Sequence, residues 1–214
     1  IEVLGLLIII FIGAESWSSI DPVHLPNGFT GLVGSSFLIF FAYIGFESLV
    51  NITEETEKAE EKIPKAIILS IVITTVLYIL VAASSVALVD WQILGASDSP
   101  LTLVARSGWG PVAASIIGII ALFSTTNTIL LILISTSRML YGVSKKEYKS
   151  FPTVLSKIHP VRNTPHLSIF TITLLTILFT LPGDIGLVAG LTNVFLLAVF
   201  ALVNASLLKL RFEN

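Results

Sequence analysis

Between Lys65 and Asp90 the chain carries no charged side chain, so Ala66–Val89 is an uncharged, largely apolar run of twenty-four residues. As a helix it rises about 36 Å, against roughly 30 Å of bilayer hydrocarbon. In lipid, main-chain polar groups must be satisfied within the spanning structure. The run is therefore read as a transmembrane helix. The same reading gives spans at about 29–51, 111–137, 167–181 and 185–208, with a partial one at 1–14. Composition agrees: 54% of residues are hydrophobic and 12% charged, with a mean hydropathy of +0.94, where soluble domains carry about 25% charged residues. The expectation is an all-α, polytopic membrane helical bundle, a single membrane domain over 1–214. Cysteine is absent, which removes disulfides, thiol catalysis and cysteine zinc sites. His24, His159 and His166 lie in or beside loops, and no metal, cofactor or nucleic-acid partner is expected. Ile1 opens inside an apolar run with no initiator Met, so the chain is read as a fragment lacking its N-terminal part.

One span contains its own interruption. Phe40-Phe41-Ala42-Tyr43-Ile44-Gly45-Phe46-Glu47 lies near the end of the 29–51 run. Gly costs a helix about 1 kcal/mol relative to Ala, and a carboxylate at the bilayer centre costs roughly 2.5–3.5 kcal/mol or more. A helix break beside a carboxylic acid fits backbone that lines a cavity, and the break is expected near 42–45. The plainer alternative is that Gly45 eases packing and Glu47 caps a helix turn near the surface. A second polar island, Ser124-Thr125-Thr126-Asn127, lies mid-span in 111–137. Short helices are expected at Leu101–Arg106, lying on the membrane, and at Phe151–His159, as an amphipathic interfacial segment. Pro64 suits the first turn of a helix. Pro182-Gly183-Asp184 reads as a tight turn with Asp184 capping the helix after it.

Charge placement gives an orientation. With loop 51–65 on the cytoplasmic side, alternation puts 141–166 and the C-terminus there too. Eleven of the twelve Lys and Arg residues, all but Arg106, then lie on that side, as the positive-inside rule requires.

Four stretches in register resemble the amino acid–polyamine–organocation superfamily of transporters. The first is Phe40–Glu47, similar to that family's sixth-helix signature. The second is Glu54-Glu55 followed by Lys62-Ile63-Pro64-Lys65-Ala66-Ile67. The third is Leu133-Ile134-Ser135-Thr136-Ser137-Arg138-Met139-Leu140-Tyr141, with Phe151-Pro152 and Thr164-Pro165 downstream. The fourth is the last helix closing on Leu210-Arg211. The resemblance departs at Thr56-Glu57-Lys58-Ala59, where the family has Asn-Pro. It also departs near Glu2, where some proton-coupled members carry a lysine, so no lysine-based proton mechanism is carried over.

The resemblance implies that the chain holds the end of helix five and helices six to ten. That is the second inverted repeat of a LeuT-like five-plus-five fold with a discontinuous first full helix, the N-terminal repeat being missing. It implies a secondary active transporter of amino acids in the cell membrane, coupled to a proton or cation and working by alternating access. The missing N-terminal half would be its structural partner. Phe41, Ala42, Tyr43, Ile44, Gly45 and Phe46 would bind substrate, with freed carbonyls taking its ammonium group. Phe41 is the preferred aromatic gate, with Phe46 as the other candidate, and Glu47 would be a gating or proton-linked acid. Ser124, Thr125, Thr126 and Asn127 would line a cation or substrate site. The alternatives are a polyamine or other ion on the same fold, a non-transporting truncated membrane partner, and a membrane enzyme. The last is disfavoured because only Glu2 and Glu47 lie well inside spans and no His joins them.

Overall fold

The computed structural model describes residues 2–20, 27–46, 56–145, 151–181 and 183–213. Among them the fold is all-α, with no strand. The helices are α1 (Glu2–Ala14), α2 (Gly28–Phe40), α3 (Ala59–Leu88), α4 (Trp91–Gly95), α5 (Pro100–Trp109), α6 (Pro111–Val143), α7 (His166–Thr180) and α8 (Ile185–Glu213). Three stretches are long and apolar enough to cross a membrane: Ala59–Leu88, Pro100–Val143 and Ile185–Phe212. Glu2–Ala14, Gly28–Tyr43 and His166–Thr180 are apolar but shorter.

Several helix ends differ from the sequence expectation, because charge ends an apolar run without ending a helix. α3 begins at Ala59 rather than 66, with Glu60 and Glu61 in its first turn, where carboxylates favour the positive end of the helix dipole. Pro64 consequently lies inside the helix and not in its first turn; it has no N–H to give the Glu60 carbonyl. α6 runs past Ser137 and Arg138 to Val143, since Arg is a good helix former. α8 continues beyond Leu208 to Glu213, with Arg211 in its last turn, a favourable place for a cation. The helix expected at Leu101–Arg106 is the longer α5. The helix expected over Phe151–His159 is a single 3-10 turn, Thr153–Ser156. Pro152 precedes that turn, and Pro160 and Pro165 disfavour helical geometry in the residues before them.

The chain forms two compact units. The first comprises Ile1–Ile9 and Gln92–Gly183. In it α5 packs on α6, and α6 on α7. Gly110 separates α5 from α6 with φ +81°, a conformation that L side chains rarely adopt. Val104 and Ala105 of α5 and Ala113, Ala114 and Ile117 of α6 are buried; alanines let helix backbones approach closely. Gly5 of α1 faces Ile120, whose Cγ2 would lie 2.9 Å from a Cβ placed there. Ser168, at the start of α7, is fully buried and donates to the Leu155 carbonyl at 2.7 Å.

The second unit comprises Ile10–Trp91 and Asp184–Asn214. Trp17 follows α1 and donates from Nε1 to Ser84 Oγ at 3.0 Å, while Ser84 Oγ donates to the Ile10 carbonyl at 3.3 Å. A Cβ on Gly13 would lie 2.4 Å from Ser84 Cβ, so this approach of α1 to α3 requires glycine. α2 packs on α8. Asp184 caps α8 as the turn motif implies, accepting the Leu187 N–H at 3.0 Å.

Candidate functional site

α2 gives way at Phe40 to a 3-10 turn, Phe41–Tyr43. The turn closes with the Ile44 N–H donating to the Phe41 carbonyl at 3.2 Å. Ile44 then leaves helical geometry with ψ 134°, and Gly45 takes φ +126°. The sequence favours this: Phe, Tyr and Ile are middling helix formers, and Gly is a poor one free to adopt positive φ.

The interruption is tied to α3 by two tyrosines. Tyr78 donates its hydroxyl to the Ala42 carbonyl at 2.8 Å. Tyr43 donates to Thr75 Oγ1 at 3.0 Å, and Thr75 donates on to the Ile71 carbonyl at 2.7 Å. The two rings meet edge to face, 5.5 Å apart and 72° between planes. Phe46 stacks at a tilt on Phe200 of α8, 5.9 Å between centroids. Beside the interruption is a cavity of about 320 Å³, walled by 42–46 and by Ser70, Ile71, Thr74 and Tyr78. That is the lower end of the size range for small-molecule sites. Among the described residues, no Asp, Glu, Lys or Arg is in this wall. A charged solute would there meet main-chain and hydroxyl dipoles.

Of the residues singled out from sequence, Ala42, Tyr43, Ile44, Gly45 and Phe46 share one cavity. Phe41 is not in its wall and is 40% exposed. Glu47 lies outside the described residues. Ser124, Thr125, Thr126 and Asn127 are on α6, in the first unit. Thr125 and Thr126 return their hydroxyls to their own helix, to the Ala121 carbonyl at 2.9 Å and the Leu122 carbonyl at 2.7 Å.

Sequence reasoning missed the α3 wall. Ser70, Thr74 and Tyr78 recur at intervals of four, one face of a helix. This polar stripe in an otherwise apolar span was the available signal. Asn193 of α8, a polar side chain in an apolar run, reads from the sequence as a packing residue first and as a lining residue of a cation or substrate site second. It is fully buried, donates from Nδ2 to the Phe37 carbonyl at 2.6 Å, and leaves Oδ1 without a partner among the described residues. Phe37 lies in the last turn of α2, where carbonyls lose their helical donors, so Asn193 caps the half-helix just ahead of the interruption.

The family model described as amino acid permease matches residues 1–214. The branched-chain amino acid permease BcaP of Bacillus subtilis is 28% identical over 202 residues, covering 94% of this chain and 42% of that protein. The methylthioribose transporter of the same organism is 27% identical over 214 residues, 99% of this chain and 45% of that protein. Cationic amino acid transporter 4 of Mus musculus is 26% identical over 217 residues, 100% of this chain and 34% of that protein. The chain thus spans less than half the length of these relatives. No solved structure matches it. With all of its residues matched by the family model, and with helices long and apolar enough for a multi-pass membrane protein, the chain belongs to the amino acid permease family, whose members are transporters and not enzymes.

Proposed function

We propose that this protein is a secondary active transporter that moves amino acids across the membrane by alternating access, coupled to a proton or another cation. The cavity beside 41–46 is its solute site. The observation that carries this reading is the interrupted helix, whose Ala42 carbonyl takes a side-chain hydroxyl at the edge of a cavity with no charged residue among the described residues of its wall. The C-terminal end of a half-helix presents the negative end of its dipole, which suits an ammonium group. A hydrogen bond to a charged partner contributes about 1.5–3 kcal/mol, one part of the roughly 4 kcal/mol that millimolar binding requires. N–H groups for the solute carboxylate would come from the other repeat of a five-plus-five fold, outside this chain. Phe46, in the cavity wall, and Phe41, beside it, are the aromatic gate candidates, and Glu47 is the gating or proton-linked acid. Ser124, Thr125, Thr126 and Asn127 would line a cation or substrate site through their side-chain oxygens, those of Thr125 and Thr126 while still donating to their own helix. The positive-inside count orients loops 51–65 and 141–166 and the C-terminus to the cytoplasm.

A second reading keeps the site and changes the solute. The relative named a methylthioribose transporter favours a cavity that also accepts solutes other than amino acids, such as a sugar derivative or a polyamine. Uptake by the full-length protein in vesicles separates the two, using labelled leucine, arginine, a polyamine and methylthioribose. Saturable uptake of an amino acid, lost in Gly45→Leu and in Glu47→Ala, is the expected result. Wild-type rates in both variants would end the site assignment. Saturable uptake of methylthioribose or the polyamine alone would select the second reading, and no saturable uptake at all would favour a non-transporting partner.

A further inference from the structure

α6 leaves its apolar span at Val143 and α7 begins the next at His166, so the residues just ahead of α7 lie at one face of the membrane. The described part, 151–165, is a built surface. His159 organises it: Nδ1 accepts the Val161 and Arg162 N–H groups, each at 3.2 Å. Its own N–H donates to the Thr164 carbonyl at 2.9 Å, and its carbonyl accepts the Asn163 N–H at 3.0 Å. The His166 ring packs edge-on against His159, 5.5 Å between centroids. Ser168 anchors the preceding turn through the Leu155 carbonyl at 2.7 Å.

This scaffold turns apolar side chains outward. Val161, at the tip, is 82% exposed, and Phe151, Val154 and Ile158 are each about half exposed. The spacing 151, 154, 158, 161 follows a helix face although only 153–156 coils. Span residues expose apolar surface because they face hydrocarbon; these four lie outside any span and need another partner. Lys157 and Arg162 lie among them, both exposed, and the stretch 151–162 has no acidic residue. Apolar side chains that enter the headgroup boundary beside exposed cations are the signature of a surface that reads anionic lipid. Long Lys and Arg stems keep their heads at phosphate level while the stems lie along apolar surface.

We propose that residues 151–162 form a docking surface for anionic phospholipid, with Phe151, Val154, Ile158 and Val161 entering the leaflet and Lys157 and Arg162 holding the headgroups. The inference concerns the lipid partner and stands apart from the solute site.

The test uses the full-length protein with Val161→Cys as its sole cysteine, bearing a fluorophore, in vesicles of phosphatidylcholine with a minority of phosphatidylglycerol. Two preparations differ only in which lipid carries acyl-chain bromine as the quencher. Per molecule of brominated lipid, phosphatidylglycerol should quench more strongly, with an enrichment of about fivefold for each engaged cation. Lys157→Gln with Arg162→Gln should bring the ratio to about one, while Arg106→Gln, on α5 outside the segment, should leave it unchanged. Equal quenching by both lipids in the parent protein would overturn the proposal. So would absence of quenching by either, which would mean that protein covers the surface, or a ratio insensitive to the double change, or one lowered equally by Arg106→Gln.

Discussion

At the scale of single residues, the Tyr78 hydroxyl is the contact with the sharpest consequence. It fills an acceptor position on the Ala42 carbonyl at 2.8 Å. A carbonyl oxygen accepts at two positions, and a solute ammonium that takes the one held by Tyr78 displaces a neutral hydrogen bond with a net worth of about 0.5–1.5 kcal/mol. Tyr78→Phe should therefore lower KM for a transported amino acid by about two- to tenfold. An unchanged or higher KM in vesicle uptake would contradict displacement. The sequence located the acceptor and not its partner. Phe40–Glu47 stands out because a weak helix former and an acid interrupt an apolar run. A tyrosine at the far side of another span carries no such mark, and the main-chain atom it reaches is common to every residue. Asn193 was legible as a buried polar side chain but not as a cap, because its acceptor lies 156 positions away in the chain.

At the scale of elements, the apolar runs located helices and misjudged their ends. Hydropathy reports the depth of lipid, whereas helix termini answer to main-chain hydrogen bonds and dipoles, which tolerate Glu60, Arg138 and Lys209 inside a helix. The expected amphipathic helix at 151–159 failed for a related reason: its apolar spacing is real, but prolines interrupt the backbone. Glycines divide by mechanism. At Gly45 a Cβ would meet nothing within 4 Å among the described residues, so a substitution there strains only the backbone at φ +126°. At Gly13 the obstacle is steric, with Ser84 Cβ 2.4 Å and its carbonyl oxygen 2.6 Å from an added Cβ. Gly13→Val should push α1 off α3, break the Trp17–Ser84 hydrogen bond and cost about 1–3 kcal/mol or more. A lowered unfolding midpoint in detergent is the expected reading; a wild-type midpoint would show that the two helices do not meet there.

For the whole molecule, the apolar side chains left outward along α3, α6 and α8 are what a multi-pass protein offers to hydrocarbon, and membership of the permease family supplies the transport context. The relatives are more than twice as long as the stretch they share with this chain. The central claim is that main-chain oxygen at the interrupted helix holds the ammonium group of an amino acid. It is tested most directly by magic-angle-spinning NMR on the full-length protein in lipid, measuring dipolar coupling between a carbonyl-13C label at Ala42 and a 15N-amino-labelled solute chosen from the uptake panel. An N···O distance of about 2.7–3.2 Å predicts a carbon–nitrogen separation of about 4 Å, lost when unlabelled solute is added in excess. A saturating solute that shows no coupling to this carbonyl would contradict the account.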